Sequence, residues 1–195
     1  MYSIAFCFLV SYNFVMSHLE HKQILYRAIV KNPCAKEDEA VNWLTRLVKA
    51  VNMKMLTGPF ANYSTEKGNE GIAAVCCLTT SHASLQVWDK EDPPCLHFDL
   101  YSCKSFEIQT VLELLSEFEP YFYEWVLIDR TNTIKEVDRG RKQVIPIVDL
   151  LDEKDKEIYL KAERTNEYRE VIGRYQKLVD KFSFMRNEND NGRTS

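Results

Sequence analysis

The side chains best suited to chemistry cluster between Gly71 and Cys103, in the stretch GIAAVCCLTTSHASLQVWDKEDPPCLHFDLYSC. A polar group, Thr79-Thr80-Ser81-His82, interrupts apolar runs, and Tyr101-Ser102-Cys103 closes the last of them. A hydroxyl, an imidazole and a thiol at strand ends could serve as nucleophile, base and acid. Hydrolysis through a Ser-His-Asp relay would need a carboxylate for His82, and Asp99 is the candidate. Adjacent Ser81 and His82 on one strand would point to opposite faces, which argues against that arrangement. The cysteines stand at 7, 34, 76, 77, 95 and 103, with no CxxC pair, and the chain has 4 histidines. Cys76 and Cys77 would face opposite ways on a strand, so the spacing does not describe a zinc site. Reduced thiols are expected rather than a disulfide framework. His18 and His21 would share a face only in a helix; here they open a strand and read as surface or edge positions.

The elements that must position these groups follow from patterning. Residues 1–16 are apolar, uncharged, too short to span a bilayer and without the basic start of a signal peptide. They read as an extension, with Met16 as the working start. The segment 18–30 alternates as a half-buried strand. Ala40, Val41, Trp43, Leu44, Leu47, Val48 and Val51 recur at helical spacing over 35–51, with Glu37, Asp38 and Glu39 suited to the helix dipole. A second strand is expected over 53–60, bent at Gly58-Pro59, then a loop over 62–71. Three strands follow at about 71–79, 82–88 and 95–102, with a hairpin turn at 89–94. Ser105 is positioned to cap a helix over 106–118, with Ile108, Val111, Leu112 and Leu115 on one face. Pro120 ends it, and 121–129 reads as a last strand carrying Tyr121, Tyr123, Trp125 and Leu127 on one side, as core, interface or a stacking surface. Residues 131–143 read as a polar connection, 144–151 as an apolar patch, 154–182 as a helix with an apolar stripe, and 186–195 as a disordered tail.

This order is α+β: a two-layer sandwich of one antiparallel sheet with two helices on one face, plus a C-terminal helix. The organisation expected is an extension over 1–16, one domain over 17–130, a linker and long helix over 131–185, and the tail. The uncovered sheet face invites a homodimer. A 195-residue chain with 45% hydrophobic residues can bury a full core, and a net charge of −4 argues against nucleic-acid binding. No membrane partner is implied.

Several segments occur together in a telling order: Glu20-His21-Lys22, the helix from Ala35, Met55-Leu56-Thr57-Gly58-Pro59, Thr80-Ser81-His82, Val87-Trp88-Asp89 and Asp99-Leu100-Tyr101-Ser102-Cys103. Over roughly 18–129 the chain resembles the prokaryotic and phage-encoded S-adenosylmethionine decarboxylases. That resemblance implies a self-processing enzyme of the cytoplasm, or of the host cytoplasm if phage-encoded. The Ser81 hydroxyl would attack the Thr80 carbonyl, the chain would break between Thr80 and Ser81, and Ser81 would become a pyruvoyl group. That group would form a Schiff base with S-adenosylmethionine and act as electron sink. Cys103 would be the proton donor, and the product would be decarboxylated S-adenosylmethionine for spermidine synthesis. Two positions depart from the family pattern: Gln86 stands where the family has its processing histidine, and Thr80 where it has a glutamate. An amide takes no proton near neutral pH. His82 or His97 could serve as base instead, and Ala73 or a neighbour falls where the family has a second processing serine. The alternatives are an unprocessed, catalytically degenerate homologue that binds S-adenosylmethionine or a partner, and a pyruvoyl decarboxylase of another amino acid such as ornithine or arginine.

Overall fold

The computed structural model describes residues 20–79 and 81–143, together with 153, 154 and 156. The chain divides into two compact units, 1–142 and 143–195. In the second, 153, 154 and 156 are helical, and Lys156 Nζ lies 2.8 Å from Glu153 Oε1. The N-terminal extension, the apolar patch, most of the expected long helix and the tail lie outside the described residues.

The first unit runs β1 (Lys22–Val30), α1 (Glu37–Ala50), β2 (Met55–Ser64), β3 (Gly71–Leu78), β4 (Ser81–Trp88), β5 (Cys95–Ser102), α2 (Ile108–Leu115), a 3₁₀ turn (Ser116–Phe118), β6 (Pro120–Asp129) and β7 (Lys135–Gln143). The strands form one antiparallel sheet in the order β2-β3-β4-β5-β1-β6-β7. Strict alternation along β3, β4 and β5 sends Ile72, Ala74, Cys76, Leu78, Ala83, Leu85, Val87, Leu96, Phe98 and Leu100 to one face, where all are buried. The helices cover that face. Helix α1 contributes Ala40, Trp43, Leu44, Leu47 and Val48, and α2 contributes Val111 and Leu115. Each such aliphatic side chain stabilises the fold by about 1.5–3 kcal/mol on burial. Glu39 fixes the start of α1 by accepting hydrogen bonds from the Ala35 and Lys36 N–H groups at 3.2 and 3.3 Å. Trp43 Nε1 donates to the Leu114 carbonyl at 3.2 Å, tying α1 to α2, and Arg46 makes a two-pronged contact with Glu117 at 2.6 Å per bond, tying α1 to the 3₁₀ turn that follows.

Four local readings change. β2 continues to Ser64, into the segment read as a loop, because Ala61 to Ser64 pair with Ala74 to Gly71. The shift in its register brackets Gly58-Pro59, where the bend was expected. The second helix is shorter than 106–118 and is not capped by Ser105. Glu107 is its N-cap, and the Ser105 hydroxyl donates to Glu20 Oε2 at 2.7 Å instead. The polar connection 131–143 becomes mostly strand. β7 pairs as the outer neighbour of β6, and its Gly140 lies so close to the Trp125 indole that a Cβ there would collide with the ring. Tyr123 and Trp125 pack against the core, Tyr123 stacking on Tyr26 with centroids 5.5 Å apart.

Gly71 opens β3 with φ +147°, and a Cβ there would run into the Val87 carbonyl oxygen. Gly68, with φ +79°, has nothing within 4 Å of the corresponding point. We therefore expect Gly71→Ala to cost about 3 kcal/mol or more in urea unfolding, as backbone strain and overpacking add. Gly68→Ala should cost roughly 1–2 kcal/mol from backbone handedness alone. Equal losses in the two variants would refute this assignment.

Candidate active site

Five strands, β3, β4, β5, β1 and β6, start or finish together at one end of the sheet. Ser81 pairs with Leu78 and Ser102; His82 pairs with Cys77 and Tyr101; Lys22 pairs with Ser102 and Asp129; Gln23 pairs with Tyr101 and Ile128. The pleat then sorts the side chains. Ser81 shares its parity with buried Leu78 and Ser102, and its hydroxyl lies 3.9 Å from Met53 Sδ on the helix side. His82, Tyr101 and Gln23 alternate to the open face. Ser81 and His82 therefore point apart, as expected from the strand, and Thr80 lies outside the described residues.

Cys103 follows β5 by one residue. Its Sγ lies 3.4 Å from His21 Nδ1 and 3.5 Å from the Tyr101 hydroxyl, and that hydroxyl lies 2.7 Å from the same His21 nitrogen. The hydrogen bond to Cys103 pushes the Tyr101 phenol above its ordinary range. The loop holding the thiol is anchored on both sides. Ser102, fully buried, accepts the Lys104 N–H at 2.9 Å, and Lys104 Nζ donates to the Asn52 carbonyl at 2.7 Å. His21 is clamped by its backbone: its carbonyl accepts the Arg130 N–H at 2.6 Å, and its N–H donates to Thr131 Oγ1 at 3.0 Å.

A polar chain crosses the open face beside this trio. The Arg130 guanidinium lies 4.5 Å over the Tyr101 ring and donates to Gln23 Oε1 at 2.9 Å. Gln23 Nε2 reaches both Asp99 oxygens, at 2.9 and 3.0 Å, and His82 Nε2 lies 3.8 Å from Asp99 Oδ2. Below it, Lys22 and Ser105 converge on Glu20 and hold its carboxyl below the usual range.

Of the expected site residues, Ser81, His82 and Cys103 thus lie at one sheet end, Ser81 turned to the helix side and His82 to the open face. Gln86 does not join them. It stands five residues along β4 from Ser81, about 16 Å at the rise of a strand, exposed and opposite Ala73 and His97. His97 shares that distant row; burial, then the nearby Arg27 charge, lower its pKa. Of the two imidazoles considered as substitute base, His82 is therefore the one beside Ser81. His21, read from sequence as a surface or edge position, is instead a direct neighbour of the thiol. Tyr101, which the sequence marks only as part of a strand end, joins it, and so do Gln23 and Arg130, which the sequence does not mark at all. Their common signal is parity: all flank the Cys103 end of β5 once β1 is paired with it. Cys34 and Cys76 are buried, and desolvation pushes the Cys34 thiol up to about 11. Among the described residues no three His, Cys, Asp or Glu side chains gather as a metal site.

A family model described as S-adenosylmethionine decarboxylase matches residues 25–131. A search of curated proteins found no match. The matched segment holds Ser81, His82, Cys103 and Arg130, and it covers more than half of the 195 residues. This chain belongs to the S-adenosylmethionine decarboxylase family.

Proposed function

We propose that the protein is a self-processing S-adenosylmethionine decarboxylase of the prokaryotic and phage-encoded kind, supplying decarboxylated S-adenosylmethionine for spermidine synthesis. The observation that carries this reading is the convergence at one sheet end of Ser81 with Ser102, the residue before Cys103. Ser81 is the first residue of β4, so cleavage before it would fall at the strand's start. A pyruvoyl group made from Ser81 fits this position, where cleavage would free a strand end without cutting the ladder. Once formed, that group supplies an electrophilic carbonyl for the substrate amine and a sink for the electrons left by CO₂.

The chain's own residues account for the rest. In this reading Cys103, one residue beyond the Ser102 that pairs with Ser81, gives a proton to the carbon that loses CO₂. The Asp99 carboxylate, held by Gln23, offers a negative charge on the open face for a sulfonium, at a site where Thr80 brings none. In this reading His82, the residue after Ser81, takes the part of the base that Gln86 cannot supply.

A second reading, an intact chain that binds S-adenosylmethionine without cleavage, draws on Gln86: an amide, exposed and remote from Ser81 within the chain. Intact mass under denaturing conditions separates the two. Two fragments divided between Thr80 and Ser81, the second blocked at its start, are expected. One uncut mass would overturn the processing reading. In the cleaved protein, Cys103→Ala should lower kcat by roughly 10²–10⁴-fold, the usual weight of a positioned acid, with cleavage retained. An unchanged kcat would remove Cys103 from the chemistry.

We also assign the open face to a homodimer contact. Phe60 and Val75, 59% and 45% exposed, are neighbours on one cross-strand row of that face, and Leu25, 38% exposed, lies further along it beyond Ser84 and Asp99. The apolar pair Phe60 and Val75 is suited to burial against a second copy, on the side of the row away from Asp99. Sedimentation should give a dimer for the full chain and a monomer for Val75→Asp. A monomeric wild type would refute the assignment.

A further inference from the structure

Three groups at the head of β1 and the tail of β5 share one short network: His21 Nδ1, the Tyr101 hydroxyl and Cys103 Sγ, with separations of 2.7, 3.4 and 3.5 Å. Each group can gain or lose a proton, and each lies within hydrogen-bonding reach of the other two. His21 is far in sequence from the other two, so the contact depends on strand pairing and not on local structure. The backbone of His21 is held from the end of β6 by Arg130 and Thr131, and its ring is 6.1 Å from the Tyr101 ring in a stacked arrangement. The ring is half-buried, and solvent reaches it.

We infer that His21 acts through Cys103: its imidazole, bridged by the Tyr101 hydroxyl, holds the proton that returns to the Cys103 sulfur after the thiol has given one up. The first transfer rests on the decarboxylase reading. There the Sγ–H bond breaks as a C–H bond forms on the product carbon. The resulting thiolate takes a proton from the His21 imidazolium, at Nδ1 directly or through the Tyr101 hydroxyl. The neutral ring then regains a proton from solvent. No other reactant is needed. His21 is a positioning residue here, since the sulfur and not the ring meets the substrate.

The surrounding charges suit this role. From the end of β6, Arg130 covers the Tyr101 ring, while Asp129 is engaged by Thr131 through backbone and side chain. From β4, the His82 ring lies 5.6 Å from the Tyr101 ring. From β5, Asp99 is taken up by Gln23. From β1, Glu20 and Lys22 are paired at 2.8 Å, and beyond Cys103, Lys104 is bound to the Asn52 carbonyl. The neighbouring carboxylates are thus committed elsewhere, and the imidazole faces the phenol and the thiol.

The test reads the thiol itself. Alkylation of Cys103 by iodoacetamide is read by peptide mass on the full chain, with exposed Cys77 as the internal control. His21→Gln should slow it about tenfold at pH 6.5 while Cys77 reacts as before. Tyr101→Phe should slow it less, since the direct contact at 3.4 Å remains. Equal Cys103 rates in wild type and folded His21→Gln would overturn the proposal. If that variant does not fold, histidine NMR of Cys103→Ala decides: His21 ring shifts unchanged from wild type also overturn it. Intact mass of the same samples reports cleavage separately, so the thiol coupling and the pyruvoyl reading succeed or fail independently.

Discussion

The constraint on which the site depends is the antiparallel register at one end of the sheet, where Ser81 pairs with Ser102, His82 with Tyr101, and Lys22 with Ser102. Side chains alternate with period two, so register decides the face as well as the neighbour. With this register, Tyr101 and Cys103 share a parity and His21 meets them from the adjacent strand. A slip of one residue between β1 and β5 would carry His21 to the helix side and bring Lys22 beside the thiol. The buried rows enforce the register, because the same slip would turn Ile24, Tyr26 and Ala28 out to water. With each buried aliphatic side chain worth about 1.5–3 kcal/mol, the core holds the site in alignment far more firmly than its few polar contacts could.

Those polar contacts set orientation within the aligned strands. Ser102 is the one buried polar residue among the described residues, and its hydroxyl accepts the Lys104 N–H, turning the chain directly after Cys103. Arg130 joins three parts of the site at once, through its N–H to His21, its side chain to Gln23 and its guanidinium over Tyr101. An ordinary surface ion pair contributes little. Here the value of Arg130 lies in linking the end of β6 to β1 and β5, so that three strand ends keep one geometry.

The parts of this fold legible in the sequence are those whose signal is local. β3, β4 and β5 are legible because alternating apolar residues mark them, and α1 because its apolar stripe and acidic first turn do. β7 is not. KEVDRGRKQ carries a single apolar residue, and its strand character comes from pairing with β6 and from Gly140 lying close against Trp125. Ser105 has the right type and place to cap α2, yet a carboxylate 85 residues away takes its hydroxyl. The site divides in the same way. Ser81, His82 and Cys103 announce themselves through spacing and resemblance. His21 contacts the thiol across 82 residues, and only the register reveals it.

Gln86 shows how spacing must be converted to distance before it becomes chemistry. Residues three or four apart on a helix are neighbours, but five along a strand carry a side chain about 16 Å away and reverse its parity relative to the start. Ser81 lies on the helix side and Gln86 on the open face, in the row of Ala73, His97 and Arg27. Within one chain, an imidazole placed at Gln86 would stand five residues along the strand from Ser81 and on the other face. The base proposed in its place, His82, is the residue next to Ser81 at the sheet end, so the processing reading puts its base one residue from the serine rather than five.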